Sequence, residues 1–217
     1  MGAFGAGSLP MKLVLISPEA DDARELLLVP EFFEAGLERY HVRKPSWTLA
    51  ALENWLKAIP AKWRSKLVLH QHHELAEKHA LAGRHWPDGE NAPDSPRLRT
   101  DFTSRSCHDL PILRSALGCY SSVFFSPLFP SISKPGHGPA KGSSETLFAE
   151  LKKILSRREP EERRTAVVAL GGITPDKISV CRKLGFDGVA VLGYIWQSTD
   201  PRRAFEELQS TLLCHAA

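Results

Sequence analysis

Six of the nine histidines of this chain, His41, His70, His72, His73, His85 and His108, follow short apolar runs that read as strand ends. An imidazole titrates near neutrality, so it can take and return a proton, and when neutral it ligates metals. His108 is the leading candidate for acid–base work: it follows a strand, precedes a helix and has Ser106 beside it. The same position would also suit a hydrogen-bonded structural histidine. His70 and His72 share one face if the strand runs through them, a spacing that zinc ligands use. No Cys or carboxylate set completes that pattern, and histidines in a wet cavity would look alike, so no residue is assigned to a metal.

The cations that could face a ligand are Arg43, which follows the second strand, and Lys134. An arginine grips a carboxylate or phosphate through two parallel bonds, although Arg43 could equally form a rim salt bridge. Lys134 closes the stretch 120–140, in which the apolar run 123–125 breaks into Ser126, Pro127, Pro130, Ser131 and Ser133. The hydroxyls of Ser131 and Ser133 can donate to phosphate oxygens or simply shape a turn. Two later runs, 165–170 and 188–192, end in Gly171-Gly172 and Gly193. Two strand-to-glycine junctions late in one chain suggest a phosphate held by backbone N–H groups.

These residues need a frame that brings strand ends together. Strand patterns at 12–16, 39–42, 67–70, 83–86, 102–105, 123–125, 167–170 and 189–192 alternate with helical ones. Thr48 and Asp109 are N-cap candidates, Thr174-Pro175 reads as an Ncap–N1 pair, and Pro30 interrupts the helix predicted over 22–36. Eight strand–helix units predict an α/β fold, a single-domain (βα)8 TIM barrel, whose chemistry gathers at the C-terminal strand ends. An open doubly wound sheet is the alternative, but no early GxGxxG follows the first strand. The run 157–164, RREPEERR, mixes both signs and reads as a solvated turn.

With 217 residues, 42% apolar, the chain suits one domain. A net charge of +3 without a basic cluster predicts no nucleic-acid partner, and no apolar run is long enough for a membrane span. Cys107, Cys119, Cys181 and Cys214 lack CxxC spacing, which fits a reducing, cytoplasmic setting. Residues 1–10 read as a flexible extension without the features of a signal peptide, and 11–217 as the barrel domain. The sequence leaves oligomeric state open, and a homo-oligomer is compatible with it.

In order and spacing, these motifs resemble the thiamine phosphate synthase and TenI family. HVRKP at 41–45 is similar to its strand-two motif, Gln-Leu-Arg with a following lysine. Ser106-Cys107-His108 resembles its S-x-H motif, SPLFPSISKP its G-P-I-F-P-T-x-T-K segment, and ALGGIT and GVAVLGYIW its last two strands. The resemblance implies a (βα)8 barrel in thiamin biosynthesis, with Ser131, Ser133, Gly171, Gly172 and Gly193 around a thiazole phosphate. It also places His41, His70 and Ser106 among the substrate-binding positions. Synthases of the family join that thiazole to an aminopyrimidine diphosphate with Mg2+, whereas TenI-type members aromatise a thiazole carboxylate phosphate tautomer through the S-x-H histidine. The synthases' Asn-Asp-Arg at the end of strand three is here His70, Gln71 and His72, and the second metal aspartate falls near Glu90. These departures favour a cofactor-free tautomerase using His108, with Arg43 or Lys134 on the ring carboxylate. The alternatives are a synthase with altered Mg2+ ligation by Glu90 and Asp88, and a non-catalytic thiazole or thiamine phosphate sensor.

Overall fold

Eight short apolar runs become eight parallel strands: β1 (Lys12–Ile16), β2 (Arg39–Val42), β3 (Leu67–Leu69), β4 (Gly83–Trp86), β5 (Phe102–Cys107), β6 (Ser122–Phe125), β7 (Ala166–Leu170) and β8 (Gly188–Val191). The computed structural model describes residues 11–90, 102–132, 138 and 144–214. Each strand pairs with its neighbours in sequence, and β8 closes on β1 through Lys12↔Gly188 to Leu15↔Val191. The (βα)8 barrel expected from the sequence is what forms.

The helices are α1 (Glu25–Glu34), α2 (Leu49–Ala58), α3 (Ala61–Arg64), α4 (Glu74–Lys78), α5 (Leu110–Ala116), α6 (Ser144–Ser156), α7 (Ile178–Leu184), α8 (Gly193–Trp196) and α9 (Pro201–Cys214). Strands covered on both faces carry apolar residues at both parities, as parallel sheets require. In β1, Leu13 and Leu15 join the large core beneath the helices, while Val14 and Ile16 meet Phe124, Val168 and Ala190 in a second cluster, which fills the barrel. Thr48 caps α2 by accepting from the Ala51 N–H at 3.2 Å, and Asp109 caps α5 from Ile112 at 2.7 Å.

Several local expectations change. Pro30 does not interrupt α1; it lies inside the helix, and the bond its missing N–H forfeits would go to the carbonyl of Leu26, a residue 44% exposed to water. Thr174 turns its hydroxyl to Asp176 at 2.5 Å instead of capping, and a 3-10 turn over Pro175–Lys177 precedes α7. The charged run 157–164 is not wholly solvated: Arg158 is buried, with Nη1 and Nη2 on the two Asp187 carboxylate oxygens at 2.7 and 3.0 Å. The extension at 1–10 lies outside the described residues, so the barrel from residue 11 onward is what the structure bears on.

The loops after β1 and β2 are joined from below by one buried network. Lys44 and Glu25, both almost wholly inaccessible, form an ion pair. Tyr40 donates to Glu25 Oε1 at 2.5 Å, and Lys44 Nζ also donates to the Ala20 carbonyl at 2.8 Å. Desolvation raises both the Glu25 and the Tyr40 pKa, the lysine opposing that effect at Glu25. The network fixes the segments that carry Glu19 and Arg43 to the barrel mouth. Removing one partner strands the other charge in the core, which costs about 3–5 kcal/mol. Lys44→Met should therefore lower unfolding free energy by roughly that amount in urea titrations, and Lys44→Met/Glu25→Leu should regain most of it. Equal losses in the single and double variants would contradict this account.

Candidate active site

At the C-terminal ends of the strands lies a cavity of about 640 Å3, walled by residues from both halves of the barrel. Its polar side is built from β2 to β5 and their loops: Arg43, His70, Gln71, His85, Asp88, Ser106 and His108. Across it stand the glycines of the last two strands, Gly171, Gly172 and Gly193, with Ser131 beside them. Gly171 and Gly172 have φ of 97° and 64°, a left-handed conformation that strains other residues. A Cβ at Gly172 would lie 2.2 Å from the Pro130 carbonyl oxygen, so the β7 junction can pack against the loop after β6 only as glycine.

His108 sits at the mouth. Its Nδ1 is 2.7 Å from the Ser126 carbonyl oxygen, which can only accept, so Nδ1 carries a proton, and in the neutral tautomer Nε2 holds the lone pair. The Ser126 hydroxyl is 3.3 Å from the same nitrogen. Arg43 lines the cavity and is ion-paired with Glu19 from the loop after β1, each about one-third exposed. The rim salt bridge and the ligand-facing position thus coincide in one residue. Ser133 and Lys134 lie outside the described residues.

Two expectations about histidines are corrected. His41, expected to touch substrate, is wholly buried and is not among the residues that line the cavity; its ring lies tilted against Phe124, 4.7 Å between centroids. The cause is parity: in β2, Tyr40 and Val42 face the helices, so His41 must face the barrel axis. His70 and His72 do not share a face. β3 ends at Leu69 and His72 has a φ of 52°, which breaks the alternation and turns its ring to the Trp47 carbonyl at 3.1 Å. His70 meets histidines of neighbouring strands instead: its Nε2 is 3.1 Å from His41 Nδ1, and its ring stacks on His85 at 4.0 Å. The wall is completed by bonds from His85 to Ser104 at 2.8 Å through Nδ1 and to Ser106 at 2.9 Å through Nε2.

Burial holds all three imidazoles neutral. Desolvation is the leading cause in each, followed by neighbouring histidines, and His41 and His70 fall well below the ordinary 6.5 while His85 falls to about 3. On acidification the unfolded chain binds protons near 6.5, whereas the folded barrel does not until lower pH. Stability therefore declines as pH falls through this window, by about 1.4 kcal/mol per pH unit for each histidine kept neutral. For His85 alone the loss is about 2 kcal/mol between neutrality and roughly pH 5. Urea unfolding of chelator-treated protein at both pH values measures it, and His85→Asn should show the smaller pH dependence.

A closed parallel barrel with glycine junctions facing a histidine wall belongs to the class of α/β-barrel proteins that work at their strand ends. The family model described as thiamine monophosphate synthase matches residues 13–195, and the chain belongs to that family, whose members are enzymes of thiamin biosynthesis. The thiamine-phosphate synthase of Methylobacillus flagellatus is 27% identical over 197 residues, which cover 87% of this chain and 88% of that one. That of Chromobacterium violaceum is 28% identical over 209 residues, covering 90% and 93%. Among solved structures, thiamine phosphate pyrophosphorylase from Bacteroides thetaiotaomicron superposes with a TM-score of 0.74 at 26% identity, covering 93% of this chain and 97% of that one. The Pyrococcus furiosus thiamine phosphate pyrophosphorylase, at 20% identity and a TM-score of 0.72 over 94% and 96% of the two chains, shares the fold. These names shift the weight from the tautomerase reading of the sequence toward the synthase alternative. Among the described residues no helix is long and apolar enough to cross a membrane.

Proposed function

We propose that this barrel makes thiamine phosphate, joining a thiazole phosphate to an aminopyrimidine diphosphate and releasing diphosphate. The family match over residues 13–195, with relatives named thiamine-phosphate synthase along nearly their whole length, carries this reading. In it the backbone of Gly171, Gly172 and Gly193 and the Ser131 hydroxyl hold the thiazole phosphate, with Ser133 and Lys134 as the further candidates that the sequence offers. Arg43 leaves Glu19 to neutralise charge on the diphosphate, since a guanidinium matches phosphate oxygens bidentately. The new C–N bond forms to the thiazole nitrogen as the C–O bond to diphosphate breaks. Ser106, held by His85, presents a hydroxyl to the incoming heterocycle.

The family's Mg2+ does not fit the donors present. Mg2+ wants carboxylate and water oxygens in an octahedron. The end of β3 offers His70 and Gln71, and both carboxylates lining the cavity face arginines: Glu19 pairs with Arg43, and Asp88 lies 3.6 Å from Arg105. Glu90, the other carboxylate expected as a replacement ligand, is exposed and is not among the lining residues.

That donor set favours a second reading, aromatisation of a thiazole carboxylate phosphate tautomer. A histidine whose Nδ1–H is fixed by the Ser126 carbonyl offers Nε2 as a base and returns the proton as an acid, with no metal. Two assays separate the readings. Supplied with thiazole phosphate and aminopyrimidine diphosphate, the protein should form thiamine phosphate, followed by chromatography, and absence of product would reject the first reading. Supplied with the tautomer, wild type should aromatise it at least about 100-fold faster than His108→Ala, the usual scale of general acid–base catalysis. Equal rates would remove His108 from that chemistry. Binding of either phosphate without turnover in both assays would leave the sensor reading.

A further inference from the structure

We propose that His41, His70 and His85 form a site for one zinc-class transition-metal ion at the floor of the cavity, with a remaining coordination position open to the cavity. The three residues come from the ends of consecutive strands, β2, β3 and β4, and one ring nitrogen from each lies within 4.8 Å of the other two. The 3.1 Å between His41 Nδ1 and His70 Nε2 is close to the roughly 3.3 Å that two imidazoles adopt on one tetrahedral zinc, given Zn–N bonds of about 2.0–2.1 Å. His41 is fully buried, and its Nε2 has no hydrogen-bond partner among the described residues. The ligand atom is the other ring nitrogen, Nδ1, and its close approach to the His70 nitrogen is met either by one shared proton or by one shared cation.

His85 is prepared on its far side. Ser104, buried in the barrel, can accept from Nδ1–H, leaving Nε2 as the ligand atom on the cavity side where Ser106 now sits. Fixing one ring nitrogen of a ligand histidine by an outer hydrogen bond is the usual way its tautomer is set. His70 and His85 stack at 4.0 Å with planes 21° apart, so their lone pairs run side by side. Metal capture turns the His70 ring out of that stack toward the ion, and His70 is the partly exposed member of the three, with room in the cavity to do so.

Three neutral nitrogens and no carboxylate select borderline cations, Zn2+, Co2+, Ni2+ or Cu2+, and reject Mg2+ and Ca2+. The depressed pKa values keep the lone pairs available at neutral pH. The open position can take water or a ring-nitrogen or carboxylate donor of a molecule held in the cavity. This inference stands apart from the joining reaction, and its test uses the metal alone.

Chelator-treated full-length protein is titrated with zinc chloride by calorimetry, with cobalt followed by visible absorption. The expected result is one Zn2+ per chain in the micromolar range or tighter, tetrahedral-type cobalt bands, and no heat with Mg2+. His70→Ala and His85→Asn should each weaken zinc by roughly tenfold or more, while His72→Ala should bind as wild type. A readout on wild type avoids any folding defect of the variants: zinc should protect His70 from diethyl pyrocarbonate, mapped by mass spectrometry. Absence of stoichiometric zinc, wild-type affinity in both His70→Ala and His85→Asn, or an unprotected His70 in zinc-saturated protein would each overturn the proposal.

Discussion

Side chains that point inward from a closed ring of eight strands can only meet one another. Open sheets can turn a polar residue to solvent, but a barrel has an axis where the inward residues of every strand converge. In this chain β1, β6, β7 and β8 send Val14, Phe124, Val168 and Ala190 into that space and pack it dry. On the other side β2 to β5 contribute His41, His85, Ser104 and Ser106 toward the same axis, and His70 follows at the end of β3. A polar group placed there must find its partners among the neighbouring strands, since desolvation without a bond costs several kcal/mol. The imidazole–hydroxyl wall satisfies most of that need, and the idle Nε2 of His41 marks where it does not.

The mouth depends on a different interaction. Arg43 and Glu19 are rim residues on separate loops; the Ser17 hydroxyl, accepting from the Arg43 N–H at 2.8 Å and donating to its carbonyl at 3.0 Å, ties the second loop to the end of β1. The buried Lys44–Glu25 pair joins the two loops from below, one residue from Arg43, with Tyr40 and the Ala20 carbonyl completing the satisfaction of both charges. A buried ion pair seldom adds net stability over an apolar pair of similar size, so its value here lies in fixing where the two loops meet. Position and charge are thereby separated: Lys44 supplies the geometry, and Arg43 stays at the surface, paired with Glu19.

The barrel was legible because its signal is repeated. Eight short strand patterns recur in alternation with helical ones, and the loss of any one would still leave the alternation. Gly171, Gly172 and Gly193 were legible for a related reason, since a glycine directly after an apolar strand has few structural uses. The histidine wall was only half legible. Sequence locates His41, His70 and His85 at strand ends, but which of them meet depends on where strands stop and on the register between β2, β3 and β4. His70 pairs with His41 and His85 because β3 ends at Leu69, and nothing local in LVLHQHH marks that end. Lys44, Glu25 and Glu19 were missed altogether: a lysine or glutamate in a loop reads as solvated until the partner arrives from elsewhere in the chain. Pro30 was misread because its effect depends on whether the freed carbonyl faces water, a property of the packed helix.

Family membership fixes a frame, and the atoms set into that frame decide what it can bind. The glycine side of this cavity is backbone, so what it offers a ligand depends little on neighbouring side chains. The opposite side is entirely side chain, and there nitrogen and hydroxyl donors stand where a hard divalent cation would need oxygen anions. In the proposed joining reaction the charge of a diphosphate leaving group would fall to Arg43, with Lys134 as the sequence's other candidate, because the donors present do not suit Mg2+. Leaving-group stabilisation in that reaction would rest on cationic side chains, while the alternative proton transfer at His108 would call only on groups within the chain. The balance between those reactions is set by the donors at the ends of β2 to β4, not by the barrel that carries them.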